Sequence, residues 1–249
     1  MNRALSIERL REEVRTIAAG AKGPAATLPF ELDALDARLA GNGLADAGLH
    51  EVAGASAGYS DDAAATLFLA GIAGRRSLEG GTVLWVVSSR DLFAPGLAQA
   101  GLPPGRLLVA EAGRDTDVLA VMEEGLRHGS LATVVGEIGR AGLTETRRLQ
   151  LAAEEGGTMA LMLRRWRKGD PLAEPSTAVT RWRIGSAPSE PLPVPGIGPA
   201  CWRVELARQR GGEGFSLILE SCDAQGRLAL PALSRDRPDQ AGAEWRRAA

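Results

Sequence analysis

Lysine is almost missing from this chain: Lys22 and Lys168 are the only two among 249 residues. A conventional phosphate-binding loop needs an ammonium group on the outer phosphates, and neither lysine stands near a strand-to-helix glycine turn. Cysteine is as scarce. Cys201 and Cys222 sit in strand-like runs without zinc spacing or a pattern of pairs, which reads as two reduced thiols in a cytosol. No apolar run approaches the ~20 residues that span a bilayer. The opening "MNRALSIERLREEVRTI" is charged throughout, unlike a signal peptide. A cytoplasmic protein without membrane contact, metal or cofactor is expected. A net charge of -2 supplies no global field to recruit nucleic acid.

Apolar residues make up 45% of the chain, enough for one large core. The charge is unevenly spread: residues 1–157 carry 15 basic and 21 acidic side chains, residues 158–249 carry 14 and 10. Residues 3–19 read as an amphipathic helix, with Ile7, Leu10, Val14 and Ile17 on one stripe. That stripe must cover either its own domain or a neighbouring copy. "GAKGPAATLPF" then breaks the pattern as a linker. Residues 1–22 are therefore set apart from a core over 23–230, and 231–249, with little to bury, read as a mobile tail.

From residue 49 strands and helices alternate. "LHEVAG" leads to a helix near Asp61–Arg76, and "TVLWVVSS" to "LFAPGLAQAGL". "RLLVAEA" precedes a helix over Asp115–His128, "LATVVGEI" one over Leu143–Glu155, and "TMALMLRR" follows. Short apolar runs without clean alternation suit strands buried on both faces of a parallel sheet. After residue 170 the polar–apolar alternation of "TAVTRWRIGSA" and "CWRVELARQRGGEGFSLILESCD", with a turn at "RGGEG", predicts antiparallel strands extending one sheet edge. The fold class is α/β: a mostly parallel sheet flanked by helices.

One stretch has the outline of a nucleotide site. In "HEVAGASAGYSDDAAATL" a strand enters a glycine-rich loop and then a helix. Counting from Gly54, G-x-x-x-x-G-K-[ST] puts its second glycine, lysine and hydroxyl where Tyr59, Ser60 and Asp61 stand. One residue shorter, Gly58 becomes the second glycine, Tyr59 takes the lysine position and Ser60 supplies the hydroxyl. Either way the cation is missing, and Asp61 and Asp62 stand where a helix should begin and carboxylates cap its amides. A phosphate charge ~5 Å from one such carboxylate is repelled by roughly 3 kcal/mol at an effective dielectric near 20. A magnesium-supporting acid would end a buried strand, and "TVVGEI" offers Glu137. The strand "LWVVSS" ends without a carboxylate, and the Asp91 that follows reads as a helix cap. A degenerate, non-catalytic loop is expected.

Cations and aromatics cluster later. "RRWRK", Arg164, Arg165, Trp166, Arg167 and Lys168, and the strand positions Arg181 and Arg183 suit single-stranded DNA, arginines meeting phosphates and tryptophans stacking on bases. Trp182 and Trp202 fit either that role or the core. Trp245, beside Arg246 and Arg247, has the form of an aromatic anchor for a partner groove. His50 and His128 have no nucleophile partner by spacing.

The series "LHEVAGASAG", "LFAPGLAQAGLPPGRLL", "MEEGLRHGSLATVVGE", "RRLQLAAEEGG", "TRWRI" and "WRVELARQRGG…LESCD", over about residues 28–225, resembles the ImuA family, RecA-related accessory proteins of damage-induced mutagenesis. That resemblance implies a RecA-like core and a role in SOS-induced error-prone translesion synthesis. The partners it implies are an ImuB-type Y-family polymerase relative and, through it, an error-prone C-family polymerase. Further copies of the chain, RecA, and single-stranded or primer–template DNA complete the set. It also implies that the helix over 3–19 docks on a neighbouring subunit. Two other readings stay open: an ATPase using Ser60, Glu137 and a neighbour's arginine, and an SOS-type cell division inhibitor.

Overall fold

Eight strands form one sheet, in the order Phe215–Glu220, Cys201–Gln209, Thr180–Ala187, Leu49–Gly54, Met159–Arg164, Thr133–Ile138, Val83–Val87 and Leu107–Glu111 from one edge to the other. The computed structural model describes residues 26–78, 80–166, 169–189 and 196–231. The helix expected over 3–19 with Ile7, Leu10, Val14 and Ile17, the residues Arg167 and Lys168, and the expected tail with Trp245 lie outside the described residues.

In chain order the elements are β1 (Thr27–Leu28), α1 (Asp33–Asp36), β2 (Leu44–Ala45), β3 (Leu49–Gly54), α2 (Tyr59–Arg76), β4 (Val83–Val87) and α3 (Ala94–Gln99). Then come β5 (Leu107–Glu111), α4 (Asp115–His128), β6 (Thr133–Ile138), α5 (Leu143–Gly156) and β7 (Met159–Arg164). The last are β8 (Thr180–Ala187), β9 (Cys201–Gln209) and β10 (Phe215–Glu220). None of the described helices is long and apolar enough to cross a membrane.

The apolar runs become central strands because helices cover both faces. Val52, Trp85, Val135, Leu161 and Leu163 point to α2 and its Phe68 and Leu69, while Leu84, Val86, Val134, Ala160 and Met162 meet Met122, Leu126 and Leu149 of α4 and α5. Glycines close those two helices in the left-handed region, Gly129 at φ 70° and Gly157 at φ 63°. β5 departs from the expected two-sided burial. It forms the sheet's outer edge, and Leu108 and Val109 are about half exposed.

The late segment extends the opposite edge, with one refinement. β8 runs parallel to β3, and antiparallel pairing begins only at β8–β9 and continues at β9–β10. A long loop returns the chain from the end of β7 to the base of the sheet, so β8 enters in the same direction as its neighbour. The expected linker also ends earlier. Thr27–Leu28 pairs with Leu44–Ala45, and Phe30 is buried against Phe68 and Trp182, each with ring centroids 6.0 Å away. Trp182 and Trp202 take the core role: Trp182 lies 5.7 Å from Phe68 and 6.1 Å from Phe215, and Trp202 lies 6.5 Å from Phe68.

Candidate functional site

All six parallel strands end on one side of the sheet, the side where ligands of open α/β sheets bind. Residues 55–58 join β3 to α2 there. The Ala55 amide donates to the Ile184 carbonyl at 2.9 Å, and the Gly58 amide to Ser56 Oγ at 3.1 Å. The helix starts at Tyr59 after an extended Gly58 and has no side-chain cap.

Asp61 and Asp62 therefore do not cap the helix, as their position implied. The Asp61 carboxylate bends back over the loop and across to β8. It accepts from Ser56 Oγ at 2.6 Å, from the Ser186 amide at 2.8 Å and from Ser186 Oγ at 3.1 Å. Burial pushes its pKa up, but these bonds from Ser56 and Ser186 outweigh it and hold the carboxyl below the ordinary aspartate value. An anion already occupies the loop, and the protein supplies it.

Asp62 faces inward to Arg165, whose Nη1 donates to its Oδ2. The same guanidinium donates to Glu137 Oε2 from Nη2 at 2.8 Å and from Nε at 3.2 Å. The other Glu137 oxygen accepts from the Trp85 indole at 2.8 Å, and Glu137 is buried. Burial works against the charge on Arg165, but Glu137 and Asp62 raise its pKa overall. Trp166, the next residue, donates its indole N–H to the Gly54 carbonyl at 2.8 Å.

The expectation that nothing offsets the loop's acids thus needs correction. A cation is present, but it arrives from the end of β7, between β3 and β6 in the sheet, and both sides of it are taken. Asp61, Asp62 and Glu137 against Arg165 leave the cluster at a formal -2. Tyr59, in the lysine position, points to solvent with 94% of its surface exposed. The sheet order sets Glu137 of β6 and Asp62 of α2 on one guanidinium, that of Arg165, a residue the loop pattern did not include.

Among the described residues, the proposed contacts Arg164, Arg181 and Arg183 are also engaged internally. Arg164, 1% exposed, donates to Glu51 Oε1 at 3.2 Å and to the Ala141 carbonyl at 3.3 Å. Arg181 is buried and donates to Glu51 Oε2 at 2.6 Å. Ser176 Oγ completes the Glu51 shell at 2.9 Å. Arg183 forms a two-pronged pair with Asp170, at 2.9 and 2.5 Å, whose carboxyl it holds below the usual range. Arg164 and Arg181 present no open guanidinium to a nucleic acid phosphate, because an acid buried in β3 needs them. One signal was available beforehand: Glu51 stands in an otherwise apolar strand, and a buried carboxylate calls for cations on neighbouring strands.

Beside Arg165 a groove of about 440 Å³ opens between α2 and α3, walled by Tyr59, Ala63, Leu67, Phe93 and Leu97, with Asp91 on its lip. Phe93 is 69% exposed. Asp91 accepts from Ser89 Oγ at 3.0 Å.

No protein-family model matches the chain. It is 38% identical over 214 residues to Protein ImuA of Caulobacter vibrioides, in two strains of that bacterium, and the match covers 83% of this chain and 88% of the relative. Among solved structures, SulA from Pseudomonas aeruginosa is 26% identical at a TM-score of 0.39, covering 47% of this chain and 96% of that one.

Proposed function

The chain belongs to the ImuA family, and on that premise we propose that it is a non-catalytic, RecA-like assembly factor of SOS-induced error-prone translesion synthesis. Its work is binding: to an ImuB-type Y-family polymerase relative, through that partner to an error-prone C-family polymerase, and to further copies of itself.

One observation carries the non-catalytic reading. The Asp61 carboxylate sits on the Ser56 and Ser186 donors at 2.6 to 3.1 Å, where the phosphate loop of a working enzyme would receive its ligand. An incoming triphosphate has to displace that carboxylate and then lies beside Asp62 and Glu137. Each unscreened carboxylate–phosphate pair at ~5 Å costs roughly 3 kcal/mol at an effective dielectric near 20. Arg165 gives little in return, since its charge is already spent on the same two acids. A satisfied loop of this kind serves as a rigid corner of the fold, not as a site of turnover.

The partner claim is tested by affinity capture with the full chain as bait, without added nucleotide, against the Y-family-like polymerase relative and a tubulin-like division protein. Retention of the polymerase relative, unaffected by 1 mM ATP, supports the reading. Exclusive retention of the division protein replaces it with a cell division inhibitor.

A further inference from the structure

The cleft between α2 and α3 is filled along only part of its length. At its lower end the chain itself packs into it. Cys222 and Gly226 press so closely on Gly71 that a Cβ there would lie 2.4 Å from the Cys222 sulfur, and one on Gly226 would lie 2.6 Å from the Gly71 carbonyl. Gly226 also meets Gly101, just beyond α3, and Leu228 is buried in the same core. The upper end is the open groove of about 440 Å³. Two aromatic rings stand unpacked at its mouth, Tyr59 at 94% and Phe93 at 69% exposure, and Asp91 marks its lip.

We propose that residues 232–249 of the same chain occupy this upper groove, with the Trp245 indole between Tyr59 and Phe93 and Arg246 or Arg247 on Asp91. Three observations support this occupant. The first is continuity, because the segment 222–228 already lines the lower half of the cleft and the described chain breaks off at Pro231, a few residues beyond it. The second is reach. Leu67 and Ala63 lie four and eight residues along α2 from Gly71, about 6 and 12 Å at 1.5 Å per residue. Fourteen residues, as many as separate Pro231 from Trp245, can reach at most roughly 46–50 Å, well beyond those separations. A tether of that length gives an effective concentration on the order of millimolar, favouring the chain's own segment over a second copy's. The third is chemistry. "AEWRRAA" joins a large aromatic to two guanidiniums, and the groove joins apolar walls to an acidic lip, the pairing that anchors short peptides.

The proposal is independent of the nucleotide question, and its test can fail while that reading stands. In the full chain, Trp245 is replaced by the photo-crosslinker p-benzoylphenylalanine, the protein is irradiated, and the crosslinks are mapped by mass spectrometry. Crosslinks within one chain to residues 59–67 or 92–99 are expected, with a yield unchanged on tenfold dilution and reduced at least fivefold by Phe93→Ala or Tyr59→Ala. Both side chains are largely exposed, so these variants retain the fold. Crosslinks only between chains, crosslinks mapping elsewhere, no crosslink at all, or indifference to both variants overturns it.

Discussion

Arg165 donates two hydrogen bonds to a single oxygen of Glu137, at 2.8 and 3.2 Å, in a cluster where the sequence pattern promises an acid and no cation. The pair joins the ends of β7 and β6, and through Asp62 it reaches the first turn of α2. It holds the loop against the sheet, and it makes the loop's electrostatics internal.

Removing the cation should expose this. Among the described residues, Arg165→Gln leaves buried Glu137 with only the Trp85 indole and removes the charge it shares with Asp62. Breaking a buried pair by deleting one partner costs ~3–5 kcal/mol; partial exposure of Arg165 puts the expected loss at about 2–3 kcal/mol. Adding Glu137→Gln should recover at least half. Urea unfolding midpoints of the two single variants and the double variant check both statements.

The two kinds of arginine pair should differ in weight. Glu51→Gln leaves buried Arg181 without the carboxylate it donates to and leaves Arg164 to the more exposed Glu174 at 3.4 Å, an expected loss of about 3–5 kcal/mol. Asp170→Asn breaks the more exposed pair with Arg183 and should cost under about 1 kcal/mol. Thermal unfolding of the two variants side by side orders them.

His50 makes stability depend on pH. It is fully buried, between the Thr180 hydroxyl at 2.7 Å and the Ala45 carbonyl at 2.9 Å, and burial lowers its pKa to about 4. The folded chain keeps the ring neutral, while the unfolded chain takes up a proton below pH ~6.5. The contribution is thus complete above that value and is lost as pH falls towards 4, by about 3 kcal/mol in all. His50→Gln should flatten the fall between pH 6.5 and 4. Below that window the lowered carboxyls of Asp61 and Asp170 take over the slope. Chemical denaturation in half-unit pH steps measures it.

Close backbone approach sets another limit. A Cβ at Gly74 of α2 would lie 2.2 Å from the Gly101 carbonyl oxygen, whereas one at Gly105 meets nothing within 4 Å. Gly74→Ala should destabilise by at least ~1–3 kcal/mol, because backbone must move. Gly105→Ala should be nearly neutral, and both are read from melting temperature.

Much of the fold was legible in the residues, since runs such as "VLWVV" and "MALML" have no polar face and suit strands covered on both sides. Trp182 and Trp202 were ambiguous for the opposite reason: alternation places them on one face without saying whether helix or solvent meets it. The site divided similarly. Gly54, Asp61 and Glu137 follow from the order of strand, loop and helix. Arg165 does not, because its partner Asp62 lies 103 residues away, and only the adjacency of β3, β7 and β6 brings them together. Its neighbours made it look like part of a basic surface, and Glu51, the buried acid that draws Arg164 and Arg181 inward, went unread.

The claim on which the rest depends is that the loop already holds its own anion. Isothermal titration of the full chain with ATP and magnesium, repeated on Asp61→Ser, tests it. The expected result is no binding tighter than about millimolar for the natural sequence and a measurable gain once the carboxylate is removed. Micromolar binding by the natural sequence, lost in Glu137→Ala and accompanied by turnover, would contradict it.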